Sequence, residues 1–193
     1  MERLAEGMAR AWFSMRHARR FKSIGATAYI AEPFRADGPE SISLGAESFV
    51  QRGAWLYCVG VDGIPARLSI GAGCVFGYNN HITAVRSIQI DDHVLTANNV
   101  YISDVVHGYR DPDTPIMHPP VEVRRPVRIG RGSWLGENVC IIGASVGRNS
   151  VIGANAVVTS DIGDRCVAVG IPARVIRHFD DTTGTWVPGD RQA

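Results

Sequence analysis

Aliphatic residues recur at every sixth position over much of this chain. Ile129, Leu135 and Ile141 stand six apart, and after a contraction of one residue Val146, Ile152 and Val158 resume the step. Glycine follows four of these six, as Gly130, Gly136, Gly147 and Gly153. Upstream, Ile70, Phe76 and Ile82 form a second run, with Gly71 and Gly77 behind the first two. Ile90, Thr96 and Ile102 follow after a two-residue insertion, and a weaker run passes through Leu44, Val50 and Leu56. An amphipathic helix needs apolar residues three and four apart, and a half-buried strand needs them two apart. A step of six fits neither alone. It fits a short strand, a tight corner and another short strand, each strand sending one aliphatic inward, with glycine supplying corner conformations that other residues resist. Coils of this kind stack into a continuous apolar column. The expected fold is therefore all-β, a parallel β-helix.

Two segments fall outside the repeat. Residues 1–22 carry Leu4, Met8, Trp12 and Met15 at helical spacing among Arg10, Arg16, Arg19 and Arg20, which predicts a short basic amphipathic helix. Such a helix packs on its own coil or a neighbouring subunit, or lies on an anionic membrane. The stretch from Asp104 to Arg128 holds five of the ten prolines and must leave the coil as a protruding loop. The domain expected is 23–178, with residues 179–193 as a tail.

Composition narrows the function classes. A net charge of +1 offers no global field for nucleic acid. The four cysteines are scattered without a CxxC pair, which suits buried thiols in a reducing cytoplasm, and no metal site is expected. No apolar run is long enough to span a membrane, and the N-terminus lacks a signal-peptide core. The expected location is cytoplasmic, with peripheral contact at the inner membrane face through residues 1–22 held open.

The stretches Trp134–Leu–Gly–Glu–Asn–Val–Cys–Ile–Ile142, Ser150–Val–Ile–Gly–Ala–Asn–Ala–Val–Val–Thr159 and Gly170–Ile–Pro–Ala–Arg–Val–Ile–Arg177 resemble the hexapeptide-repeat acyltransferases. The nearest types are galactoside/maltose O-acetyltransferases and the sugar O-acetyltransferases of surface-polysaccharide synthesis. The resemblance implies left-handed coiling, an exception to the usual right-handed crossover. It also implies a homotrimer with active sites between subunits, acetyl-CoA as co-substrate, and a sugar or polysaccharide-precursor acceptor. An antibiotic or amino-sugar acceptor is the alternative, and a non-catalytic scaffold is another.

Acyl transfer from a thioester to an alcohol needs a base, and neutral histidine suits that task. The motif places it at His107, in Ser103–Asp–Val–Val–His–Gly–Tyr–Arg–Asp111. Asp104, Tyr109 and His118 are candidate acceptor contacts, and either Asp104 or Asp111 could orient the imidazole. An oxyanion donor is expected from Asn79 or Asn80, which could equally be turn-forming residues. The resemblance assigns CoA to Trp134, Gly136, Glu137, Ala154, Thr159 and Ser160, with Arg174 and Arg177 on its phosphates. A γ-type carbonic anhydrase would need three zinc-binding histidines, and His81, His107 and His118 lack that spacing. A sugar nucleotidyltransferase would need a glycine-rich nucleotide domain before the repeats.

Overall fold

In the computed structural model, which describes residues 10–13 and 15–189, the chain winds as a left-handed parallel β-helix of triangular section. Face A stacks β1 (Ser23–Ile24), β4 (Ile42–Leu44), β7 (Arg67–Ile70), β10 (Ser87–Ile90) and β15 (Val127–Ile129). Face B stacks β2 (Tyr29–Ile30), β5 (Phe49–Val50), β8 (Val75–Phe76), β11 (Leu95–Thr96), β16 (Trp134–Leu135), β18 (Val151–Ile152) and β20 (Cys166–Val169). Face C stacks β3 (Arg35–Asp37), β6 (Trp55–Cys58), β9 (His81–Ala84), β12 (Tyr101–Ser103), β17 (Cys140–Ile142) and β19 (Val157–Val158).

The six-residue step becomes three inward columns in strict register. Leu44, Ile70, Ile90 and Ile129 lie over one another on face A, and Val146 and Ile162 extend the column through single bridges. Val50, Phe76, Thr96, Leu135, Ile152 and Ala168 form the column on face B. Leu56, Ile82, Ile102, Ile141 and Val158 form that on face C. These residues are buried and make one continuous core. Thr96 is the polar exception, and its hydroxyl donates to Asn80 Oδ1 at 3.2 Å, so its burial leaves no unpaired donor. One more coil stands upstream of the weakest run: Ile24, Ile30 and Ala36 continue the columns below Leu44, Val50 and Leu56.

The three corners are not alike. From face A to B, and from B to C, inward residues are always six apart, as in Ile70, Phe76 and Ile82. Every irregularity in the repeat falls at the corner from C back to A. There the chain runs from Leu56 to Ile70, from Ile102 to Ile129, and from Ile141 to Val146. Except at the first B/C corner, where the Glu32–Pro33 bond is cis, the strict corners hold a residue in the left-handed region once per turn. At the A/B corner these are Thr27, Glu47, Gly73, His93, Gly132, Asn149 and Arg165. At the B/C corner they are Gly53, Asn79, Asn99, Asn138 and Asn155. Asparagine tolerates this conformation better than other side chains with a Cβ.

Both ends are modified. Helical residues 10–13 and 15–17 lay Phe13, fully buried, edge-on against Tyr29 and Phe34 of the first coil. Leu4 and Met8 of the expected helix lie outside the described residues. After the last coil, β21 (Arg174–Asp180) turns back antiparallel to β20, and β22 (Thr185–Pro188) pairs antiparallel with β21. Residues 179–189 thus comprise the end of β21, a turn and β22.

Candidate active site

The protruding segment after Ile102 is built on Asp104. Its side chain is fully buried, and its carboxylate accepts three backbone N–H groups, from Val85 (2.8 Å), Arg86 (2.9 Å) and Ser87 (2.8 Å). Its backbone carbonyl accepts the Arg124 N–H at 2.7 Å. Asp104 therefore pins the preceding coil's turn and the returning arm of the loop at once. This replaces the expectation that Asp104 touches an acceptor: no lone pair faces solvent.

From that base the chain forms a hairpin, β13 (Val105–His107) against β14 (Val121–Val123), with His107 opposite Val121. His107 is exposed at the end of β13. The next residue, Gly108, is buried, and a Cβ there would meet the Pro120 carbonyl oxygen at 2.7 Å, so the close approach of the two arms requires glycine. Asp111 does not orient His107 either. It accepts from the Thr114 hydroxyl (2.6 Å) and the Asp113 N–H (3.0 Å), and these bonds hold its carboxyl below the ordinary carboxylate range. Tyr109 and His118 are exposed on the hairpin's distal part.

Thr159 and Ser160 follow β19 and are exposed at this same C/A corner. Thr159 lines an open cleft with Val123, Arg124, Arg125, Ile142 and Gly143. Arg125 makes a two-point pair with Asp161, at 3.1 and 3.2 Å. Arg124 and Arg125 were missed by the sequence reading, although two adjacent arginines before a proline in a functional loop were a usable signal.

The remaining expected residues stand at the other edge of face C or beyond it. At the B/C corner Asn79 Nδ2 donates to Asn99 Oδ1 (3.3 Å), Asn99 Nδ2 to Asn138 Oδ1 (3.1 Å), and Asn138 Nδ2 to Asn155 Oδ1 (3.0 Å). Asn79 is the first rung of a ladder, and Asn80 is buried with its amide donating to the Gly77 and Ala97 carbonyls. Both asparagines serve as corner residues, and neither shares an edge with His107. Glu137, beside the ladder, accepts from the Asn98 N–H at 3.1 Å. Gly136 is buried where a Cβ would meet the Ala154 nitrogen at 2.8 Å, and Ala154 itself is exposed.

Trp134 stands outward on face B, 42% exposed, in a column running Tyr29, Phe49, Val75, Leu95, Trp134, Val151 and Val167. Arg177 lies opposite Val167 on β21 and so continues that column, with Arg174 near its end. One chain thus gathers His107, Thr159 and Ser160 at one corner, and Trp134, Gly136, Glu137, Ala154 and Arg177 along face B and its border with C. Face C itself carries an outward stack, with Trp55 on His81 at 4.2 Å and His81 against Tyr101 at 5.1 Å. Burial holds the His81 imidazole below its usual pKa. Among the described residues no three His, Cys, Asp or Glu side chains cluster as metal ligands.

Comparison with known proteins agrees with this architecture. Residues 67–104 and 126–160 match the family described as hexapeptide repeat of succinyl-transferase. Galactoside O-acetyltransferase of Escherichia coli is 32% identical over 159 residues, covering 78% of this chain and 73% of that one. WbbJ of the same organism, provisionally assigned as a lipopolysaccharide biosynthesis O-acetyl transferase, is 34% identical over 140 residues, covering 65% and 71%. Among solved structures, a mutant of the N-acyltransferase AntD from Bacillus cereus, bound to dTDP and coenzyme A, superposes with a TM-score of 0.74. It is 16% identical and covers 88% of this chain and 90% of that one. A hexapeptide-repeat acetyltransferase from Vibrio cholerae, complexed with acetyl coenzyme A, gives a TM-score of 0.59 at 22% identity, covering 89% and 78%. With its matched repeats and two relatives aligned over more than two thirds of their own length, this chain belongs to the hexapeptide-repeat acetyltransferase family and is an enzyme of that class.

Proposed function

We propose that this protein transfers an acetyl group from acetyl-CoA to a hydroxyl of a sugar or surface-polysaccharide precursor, with His107 as general base. The observation that carries the reading is the exposed His107 imidazole on a hairpin where Asp104 is taken by backbone amides, Asp111 by Thr114 and Glu122 by Arg110. The names of the relatives, a galactoside and a lipopolysaccharide O-acetyltransferase, favour a sugar acceptor.

The imidazole takes the proton of the acceptor hydroxyl as its oxygen attacks the thioester carbonyl. The tetrahedral centre collapses with cleavage of the C–S bond, and the departing thiolate takes the proton back from the imidazolium. No covalent enzyme intermediate is required, so rate comes largely from holding two substrates together. The CoA thioester would lie along the coils near Trp134, Gly136, Glu137, Ala154, Thr159 and Ser160, with Arg174 and Arg177 toward its phosphates. Tyr109 and His118 on the hairpin would face the acceptor.

The two groups of residues lie on opposite edges of face C. A site using both is completed when the hairpin of one copy meets face B of the next, and a closed trimer accomplishes this. Among the described residues no helix is long and apolar enough to cross a membrane.

The test is thiol release from acetyl-CoA against a panel of sugars and amino sugars, with wild type and His107→Ala. Sugar-dependent release that disappears in the variant, with CoA binding retained, supports the reading. Equal release in the variant overturns His107 as the base. Transfer only to amines replaces the hydroxyl acceptor, and the absence of both transfer and CoA binding leaves a scaffold.

A further inference from the structure

We infer that residues 10–22 form a docking surface for an anionic phospholipid membrane. This surface is separate from the acyl-transfer site and does not depend on it. Helical residues 10–13 and 15–17 have two distinct faces. Phe13 and His17, four apart, are 0% and 5% exposed, and Phe21 continues the buried side against the first coil. On the other side Trp12 is 43% and Met15 80% exposed, beside the exposed Arg16 and Arg19. The Arg16 guanidinium lies over the Trp12 ring, 5.1 Å from its centroid. Arg20 and Lys22, also exposed, follow directly.

Charge selects the partner. Residues 10–22 contain Arg10, Arg16, Arg19, Arg20 and Lys22 and no acidic residue, whereas the whole chain has a net charge of +1. The remainder is therefore net negative, whereas residues 10–22 carry five cations with no carboxylate among them. A large indole and a thioether side chain on a segment with Arg16 and Arg19 exposed suit the lipid interface, where the apolar groups enter the acyl boundary and the guanidiniums meet phosphates. Nucleic acid would use the cations and leave Met15 in water. A stable protein interface buries about 800 Å² per partner, more than the exposed Trp12 and Met15 of the described residues supply.

The experiment is sedimentation of the full chain with phosphatidylcholine vesicles, with and without phosphatidylglycerol. Binding is expected only to the anionic vesicles and should fall steeply as salt is raised. Trp12→Ala with Met15→Ser, and separately Arg16→Glu with Arg19→Glu, should each weaken binding about tenfold or more. Arg16→Glu with Arg19→Glu should keep the wild-type melting temperature, because both guanidiniums are exposed, whereas Trp12→Ala also removes an edge contact with the buried His17. Equal binding to neutral vesicles, or none to either kind, overturns the inference. So does a change of oligomeric state in these variants, which would mean that a second copy covers the face. The wild-type comparison needs no substitution, so a variant that misfolds leaves the test standing.

Discussion

The B/C and C/A corners of this β-helix solve the same turning problem in opposite ways. At B/C the chain always takes the same number of residues, four of its turns place asparagine in the left-handed region, and those side chains bond to one another up the stack. At C/A the chain takes whatever length it has, and a buried carboxylate at Asp104 does the pinning. A corner whose polar groups are consumed by their neighbours has none left for a substrate. A corner with surplus chain can project a histidine into solvent. Chemistry is therefore expected where the repeat is broken, and stability where it is kept.

The largest effect that would sharpen this contrast is on turnover. His107→Ala should lower the acetyl-transfer rate by about 10²–10⁴-fold without moving the melting temperature. Asn79→Gly, which keeps the left-handed corner, should leave the rate close to wild type. A rate collapse in Asn79→Gly would break the division between the corners and restore Asn79 as an oxyanion donor.

Stability gives the next comparison. A Cβ at Gly147, at a strict corner, would lie 2.4 Å from the Asp164 nitrogen, whereas one at Gly63, at the C/A corner, meets nothing within 4 Å. Gly147→Ala should cost about 3 kcal/mol through displaced backbone. Gly63→Ala should cost about 1 kcal/mol, the strain of its left-handed φ of 71°. Chemical denaturation of both variants measures the difference, and equal losses would mean that the C/A corner is as tightly packed as the others.

Asp104→Asn comes after these. Replacing one carboxylate oxygen with an NH₂ group turns a donor toward backbone donors at the hairpin's base, at a cost of about 2 kcal/mol. The variant should also loosen the hairpin, so that hydrogen exchange at Val85, Arg86 and Ser87 accelerates together with that at Arg124. Unchanged exchange at Arg124 would show that the hairpin holds itself.

Much of this was legible in the amino acids, and unevenly so. The columns from Leu44 onward are visible as a step of six because each inward position accepts only a compact apolar side chain. The first coil escaped notice although Ile24–Gly25 and Ile30 keep the same step, because Ala36 ends it weakly. His107 was found through its motif and the interruption around it. Asp104 was misassigned because a carboxylate next to a candidate base suggests a partner, and only the fold shows the three amides that occupy it. Asn79 looked available for the same reason: a ladder between residues 17 to 39 apart in sequence is invisible until the coils are stacked. Arg124 and Arg125 gained their place beside Thr159 only through the return of the hairpin.

The smallest predicted effect concerns face C, between the two corners. His81 is stacked on Trp55 and tilted against Tyr101, and burial lowers its pKa below the usual 6.5. The unfolded chain then binds a proton there before the folded one does, so stability is full above that pH and declines as pH falls below it. His81→Gln should flatten the acid limb of a melting-temperature profile, and an unchanged limb would assign the loss to other groups.

The antiparallel turn of β21 and β22 has a consequence beyond the monomer. A parallel stack of coils carries unpaired amides and carbonyls on its last turn, where a strand of a second copy could add. By reversing strand direction over β20, β21 and β22 close the face-B edge of that turn. A version ending at residue 170 should therefore pair with a second copy through the bared edge of β20 rather than simply lose a few contacts.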